Sequence, residues 1–283
     1  MTKWYKPYLE IYEKPFAEVP QKVIKAIQGR LEALKEYEQP VVSVVLICYN
    51  EETHIASCIG SLCDNKCNVP IEIIAINNNS LDDTENVLRQ LGVTYYNETN
   101  KGPGYARQCG LDHARGKYHI CIDADTIYPP HYIATHLNSL MKPDVVCTFS
   151  LWSFIPEEGR SKIGLWCYEF LRDVHLSIQA IKRPELCVRG MTFAFKTDEG
   201  RKFGFRTDIR RGEDGSLALA MKPLGKLVFI HSRKARVMTG YGTLKTDGSL
   251  LNSFKIRLVK ALVNISTLFT PKNKYDDDKD NLI

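Results

Sequence analysis

The residues best suited to chemistry are Asp123 and Asp125, which close the run Tyr118-His119-Ile120-Cys121-Ile122-Asp123-Ala124-Asp125-Thr126. Tyr118, Ile120 and Ile122 alternate with His119 and Cys121, the pattern of a half-buried strand. Pro129-Pro130 end any regular element beyond it. A spacing of two on extended backbone puts both carboxylates on one side. Carboxylates that close repel each other unless a cation or a proton lies between them. A hard divalent cation, Mn²⁺ or Mg²⁺, suits oxygen ligands, and substrate phosphates would complete its shell. A second acidic pair, Glu213-Asp214, follows Arg210-Arg211-Gly212 and opens a helix predicted over 216–221. Acids in that position also simply complement a helix dipole. Gly102-Pro103-Gly104 predicts a tight turn that aims Arg107 at the same rim. It lacks a third glycine and does not follow the first strand, so it is no dinucleotide fingerprint. The basic stretch His231-Ser232-Arg233-Lys234-Ala235-Arg236 suits phosphates or solvent equally well.

The elements that must position these groups alternate. Val41–Cys48 is a near-continuous apolar run, as in a strand buried on both faces of a parallel sheet. A helix over 53–63 follows, then a strand over 71–76, a helix over 84–91 and a short strand over 93–96. The glycine-bearing turn then leads a helix into the Asp123 strand. Such alternation predicts an α/β fold with a mainly parallel sheet, and ligands lie at the carboxyl ends of its strands. The polar clusters 50–52, 77–83 and 123–125 all fall at those ends. Further strands are predicted at 145–150, 189–195 and 227–230. The amphipathic helix 163–181 carries Trp166, Phe170, Val174 and Ile178, which read as core or a dimer face rather than a ligand platform.

Residues 1–40 read as an N-terminal extension whose helix, near 19–37, packs on the body without chemistry of its own. The main domain is expected over 41–240, in two halves, 41–126 and 127–240. The remainder, 241–283, holds an apolar stretch over 254–269 and an acidic tail. That stretch suits a packing helix or a membrane-surface helix.

Of the 283 residues, 44% are hydrophobic, and the net charge of +5 suits phosphate-bearing substrates or an anionic membrane surface without arguing for nucleic acid. No run has the length and apolarity of a membrane span, and the N-terminus lacks the apolar core of a secretory signal. Nine cysteines, several inside strand-like runs, fit a reduced, cytoplasmic protein. The C-x4-C-x3-C spacing of Cys58, Cys63 and Cys67 is not that of a zinc ribbon.

Four stretches, taken in order, resemble the family 2 glycosyltransferases of GT-A fold. Ser43–Glu51 is similar to the family's opening strand with its Tyr-Asn-Glu ending. Asn77-Asn78-Asn79-Ser80-Leu81-Asp82-Asp83-Thr84 is similar to its second motif. Asn100–Gly110 followed by Ala114–Tyr118 leads to Asp123-Ala124-Asp125 as in the family, and Gly212-Glu213-Asp214 is similar to its Glu-Asp motif.

The resemblance implies an inverting transfer from a nucleotide-sugar donor to a glycan or lipid-linked glycan, beside the inner face of a membrane. Asp123 and Asp125 would hold the Mn²⁺ or Mg²⁺, with His231 as a further ligand. Asp214 would serve as base with Glu213 as helper. Asn50, Glu52, Asn77, Lys101, Arg107, Asp123 and Arg233 would lie about the donor. Asn77 stands where Asp is usual, so a uridine base does not follow. The rival expectations are a polyprenyl-phosphate acceptor, a nucleotide-sugar-binding protein without turnover, and a nucleotidyltransferase. The last would carry a glycine- and lysine-rich phosphate loop at its first strand, where this chain has Tyr49-Asn50-Glu51-Glu52. A homodimer and a peripheral membrane contact through the C-terminal helix are further expectations.

Overall fold

The computed structural model describes residues 4–36, 38–156 and 161–241. Two helices, α1 (Lys6–Leu9) and α2 (Gln21–Lys35), precede the sheet. The alternating core runs β1 (Val42–Cys48), α3 (Ile55–Cys63), β2 (Ile71–Asn78), α4 (Thr84–Leu91), β3 (Thr94–Glu98), α5 (Pro103–His113) and β4 (Tyr118–Asp123). The second half comprises β5 (Thr126–Ile127), α6 (Tyr132–Leu140), β6 (Val145–Ser150), β7 (Trp152–Phe154), α7 (Lys162–Lys182), β8 (Ala194–Lys196), α8 (Thr197–Arg201), α9 (Glu213–Met221), β9 (Lys226–Ile230) and β10 (Val237–Thr239).

Seven strands form one sheet in the order β3-β2-β1-β4-β8-β6-β9. Every pairing is parallel except those of β8, which runs antiparallel to β4 and β6. The order doubles back at β1–β4, so the carboxyl ends of these two neighbours open onto one crevice. A small second sheet, β5-β10-β7, stands beside it.

β1 is buried along nearly its whole length because helices cover both sheet faces. On one face α5 seals a compact cluster of Val45, Ile74, Ile76, Ala106 and Ala114. On the other, α2, α3 and α4 bury Ile27, Ile59, Leu62, Val87 and Leu91 in the main core. The N-terminal helix α2 is thus part of the core, docked through Ile24, Ile27 and Leu31.

Three expectations need correction. Residues 189–195 are not one strand: a 3₁₀ turn at Gly190–Thr192 precedes β8, which leaves β8 short. The helix expected from 216 starts three residues earlier, at Glu213, because Gly212 takes a left-handed conformation (φ 92°) that launches it. Trp166, Phe170, Val174 and Ile178 are not core, since all four face solvent on α7. The stretch expected over 254–269 and the acidic tail lie outside the described residues.

Candidate active site

A cavity of about 730 Å³ lies at the carboxyl ends of β1, β2 and β4, with the start of α9 as its far wall. Asp123, Ala124 and Asp125 line it from the turn after β4, and Glu213 and Asp214 line it from α9. Lys101, Gly102, Arg107 and Arg210 also line it.

The β4 turn presents two unlike carboxylates. Asp123 receives an ion pair from Arg107. The Asp125 carboxylate accepts a hydrogen bond from the Thr126 hydroxyl at 3.0 Å. Burial, followed by the charges of Asp123 and Glu51, raises its pKa to about 7. A carboxyl so placed leans toward its neutral form, and a cation beside it would favour the ionised one. Among the described residues no three His, Cys, Asp or Glu side chains converge as a full metal-ligand set. The two carboxylates of the β4 turn could supply one or two oxygen ligands to a hard divalent ion, with phosphate and water supplying the rest. His231, the expected further ligand, is exposed beyond β9 and does not line the cavity.

Arg107 joins the two acidic centres. It is fully buried on α5, where sequence reading had placed it at the nucleotide. Its Nη1 donates to the Ile122 carbonyl at 3.0 Å and its Nη2 to Asp123. Its Nε faces Asp214 Oδ1 at 3.4 Å as an ion pair. Both of these last atoms are buried and neither is hydrogen-bonded. With its head taken up by these partners, Arg107 is placed to position both carboxylates. Gly190 makes room for it: a Cβ there would collide with Arg107 Nη2 and sit 2.8 Å from Asp214 Oδ2.

Asp214 and Glu213 occupy the first turn of α9 and are both buried. Burial and then the Glu213 charge push the Asp214 pKa well above the carboxylate range, with Arg107 opposing. Burial likewise raises Glu213 against the pull of Arg107. A carboxylate raised toward neutrality is a stronger base than one in water.

Several expected donor residues are spent on architecture. Asn50 sits at φ 56°, its Oδ1 accepting from the Leu81 amide at 2.8 Å and its own amide donating to Ser80. Glu52 accepts from the Asp83 amide at 2.8 Å. The two residues thus lock the loop after β1 to the loop after β2. Asn77 donates to Asn97 Oδ1 at 2.8 Å and does not line the cavity. Its neighbour Asn78 does, while its amide holds the carbonyls of Glu98 and Asn100 and accepts from the Gly102 amide. Arg233, like His231, is exposed and away from the lining.

Sequence reading missed three contributors. Glu51 lines the cavity and pairs with His54 Nδ1 at 2.7 Å. Burial alone would lower the His54 pKa, but the Glu51 hydrogen bond and charge outweigh it and raise it. Tyr12, from the N-terminal extension, donates to the Asp125 carbonyl at 2.9 Å and packs its ring on His54, centroids 4.7 Å apart. No local signal marks Tyr12, because its partners lie far along the chain. Arg210 was legible as one of the cations preceding Glu213-Asp214.

A parallel sheet that doubles back over a carboxylate-bearing turn, faced by an acidic helix start, defines a GT-A-type sugar-transfer fold. The chain belongs to glycosyl transferase family 2, whose model matches residues 43–195. It is 33% identical over 120 residues to an uncharacterized glycosyltransferase from Rickettsia prowazekii (strain Madrid E), a match covering 40% of this chain and 37% of that relative. The chain thus spans only about a third to a half of the length of such curated relatives. In structure it is similar to the mannosyltransferase PcManGT from Pyrobaculum calidifontis in complex with GDP-Man and Mn²⁺. That likeness has TM-score 0.58 and 18% identity, over 92% of this chain and 76% of that one. It is also similar to glucosyl-3-phosphoglycerate synthase from Mycobacterium tuberculosis, in complex with Mn²⁺, UDP-Glc and phosphoglyceric acid. Here the TM-score is 0.53 and the identity 20%, over 87% and 85% of the two chains. At these identities the likeness shows a shared fold.

Proposed function

We propose that this glycosyltransferase inverts the anomeric centre, depends on a divalent metal, and moves a sugar from a nucleotide donor to a hydroxyl of a glycan or lipid-linked glycan at the cytosolic side of a membrane. The observation that carries this reading is the meeting of two acidic centres in one cavity, joined by a buried arginine.

Asp123 and Asp125 would hold Mn²⁺ or Mg²⁺, which when bound neutralises charge growing on the departing nucleoside diphosphate. Lys101 and Arg210, both exposed at the cavity mouth, meet the phosphates. Asp214 takes the proton of the acceptor hydroxyl as its oxygen bonds to the anomeric carbon. The bond to the diphosphate breaks on the opposite face, so one displacement inverts the centre. Glu213 and Arg107 set the Asp214 charge and orientation, as their contacts require. The two structural relatives hold guanosine and uridine sugars respectively, each with Mn²⁺. That supports a metal-bound donor and leaves both bases for trial.

Asp214→Asn is expected to keep Mn²⁺-dependent binding of the donor and to lower transfer by about 10²–10⁴-fold, the usual worth of a positioned base. Wild-type kcat/KM should rise with pH along a limb above the ordinary carboxylate range, because Asp214 is pushed up. Equal loss of donor binding and transfer in the variant would remove Asp214 from the role of base. Transfer that survives the substitution would favour a lipid phosphate acceptor, which needs no base.

A further inference from the structure

Helix α7 spans 21 residues, about 30 Å at the usual rise. Its inner side buries Leu165, Tyr168, Leu176 and Gln179. Its outer side exposes Ile163, Trp166, Phe170, Leu171, Val174, Ile178 and Ile181. Exposure reaches 66% at Trp166, 55% at Phe170 and 76% at Ile181, so these are not core residues grazing the surface. At 100° per residue they fill an arc of about 140°, wider than a coiled-coil seam.

The charges on α7 are sorted with equal clarity. Glu169, Arg172 and Asp173 turn inward. Glu169 accepts from the Phe154 amide at 2.7 Å and from Ser153 at 2.9 Å. Arg172 pairs with Asp173 at 2.8 Å, and Asp173 also pairs with Arg236. The charged side chains of α7 left in solvent are Lys162 and Lys182, one at each end of the apolar stripe. An apolar arc with cations at its borders and no exposed acid matches the chemistry of an anionic lipid surface. There apolar side chains enter the acyl boundary and lysines snorkel to phosphates. A second copy set antiparallel on this face would bring the Lys162 of each chain to the Lys182 of the other, a like-charge contact. Eight residues beyond Lys182 the chain reaches Gly190, on which Arg107 and Asp214 rest.

We propose that the outer face of α7 seats the protein on an anionic bilayer, with Trp166 and Phe170 as anchors. The proposal builds on the lipid-linked reading of the acceptor, but vesicle binding needs neither donor nor transfer, so the two fail separately. The experiment is flotation of the full chain with phosphatidylcholine vesicles, with and without phosphatidylglycerol. Wild type should float with the anionic vesicles. Trp166→Ser/Phe170→Ser should weaken binding about tenfold or more, given the apolar area withdrawn from the acyl boundary. Lys162→Gln/Lys182→Gln should weaken it on the anionic vesicles alone. Unchanged melting temperatures, expected at such exposed positions, confirm that the variants fold. Absence of wild-type flotation would overturn the proposal. So would a dimer in sedimentation that the Trp166/Phe170 variant disperses without any vesicle binding. Flotation kept by that variant but lost on removing residues 254–269 would also overturn it, by moving the contact to the C-terminal stretch.

Discussion

Asp125 shows how one residue's surroundings set its chemistry. On sequence alone it is a twin of Asp123, two residues away. In the fold Asp123 takes the arginine, and Asp125 is left half-buried beside Asp123 and Glu51 with its pKa raised to about 7. The sign of the consequence follows from linkage. The folded state holds this proton more tightly than the unfolded state, whose carboxyl titrates near 3.8. The stability from this group is complete below that value and is lost as pH rises through about 7. A divalent ion reverses the loss by replacing the proton. Mn²⁺-dependent nucleotide affinity should therefore fall about tenfold per pH unit below 7, since each binding event must expel a proton. Calorimetric titration at pH 6, 7 and 8 measures this. Asp125→Asn should abolish both the metal dependence and the pH slope. An unchanged slope would place the metal on other groups.

At the scale of the element, β4 does two jobs. It delivers Asp123 to the cavity and carries His119 through the core. Both ring nitrogens of His119 are buried without hydrogen-bond partners, and its ring stacks on Phe195 at 4.7 Å between centroids. Burial, assisted by the charges of Arg107 and Arg201, lowers its pKa from 6.5 to about 3. A depressed histidine costs no stability above pH 6.5 and progressively destabilises the fold as pH falls toward 3, because only the unfolded chain takes up the proton. His119→Leu should remove this penalty. Relative to wild type, the variant should gain stability in urea melts between pH 7 and pH 5. An equal difference at both pH values would show that His119 titrates normally.

Across the whole molecule, Arg107 links elements far apart in the chain. It comes from α5 and ties the β4 turn to the first turn of α9. Removing one partner of a buried charge cluster leaves the others uncompensated, at a cost of about 3–5 kcal/mol. Arg107→Met keeps the side chain's bulk and strips its charge. It should lower unfolding free energy by that amount in guanidinium melts and reduce transfer, through the misplacement of Asp214. A stable variant with normal transfer would mean that Asp123 and Asp214 hold their places unaided. The N-terminal extension also belongs to this scale. It was read as packing alone, yet Tyr12 reaches the backbone of the turn after β4, at the Asp125 carbonyl.

The sequence determined what repeats locally. Apolar runs such as Val42–Cys48 specify buried parallel strands, because covering helices leave no polar face. The clusters that end them mark the rim, so Asp123, Asp125, Glu213, Asp214, Lys101 and the family could all be read from it. Tertiary structure decided what depends on distant partners. Arg107 looked like a phosphate ligand until burial placed it between two acids. Asn50 and Glu52 looked like donor contacts until each met an amide from the loop after β2. The stripe of α7 read as core or a dimer face, and the core reading fell when the opposite side of the same helix proved to be the buried one. Periodicity shows that a helix has an apolar face, whereas only packing shows whether the protein covers it.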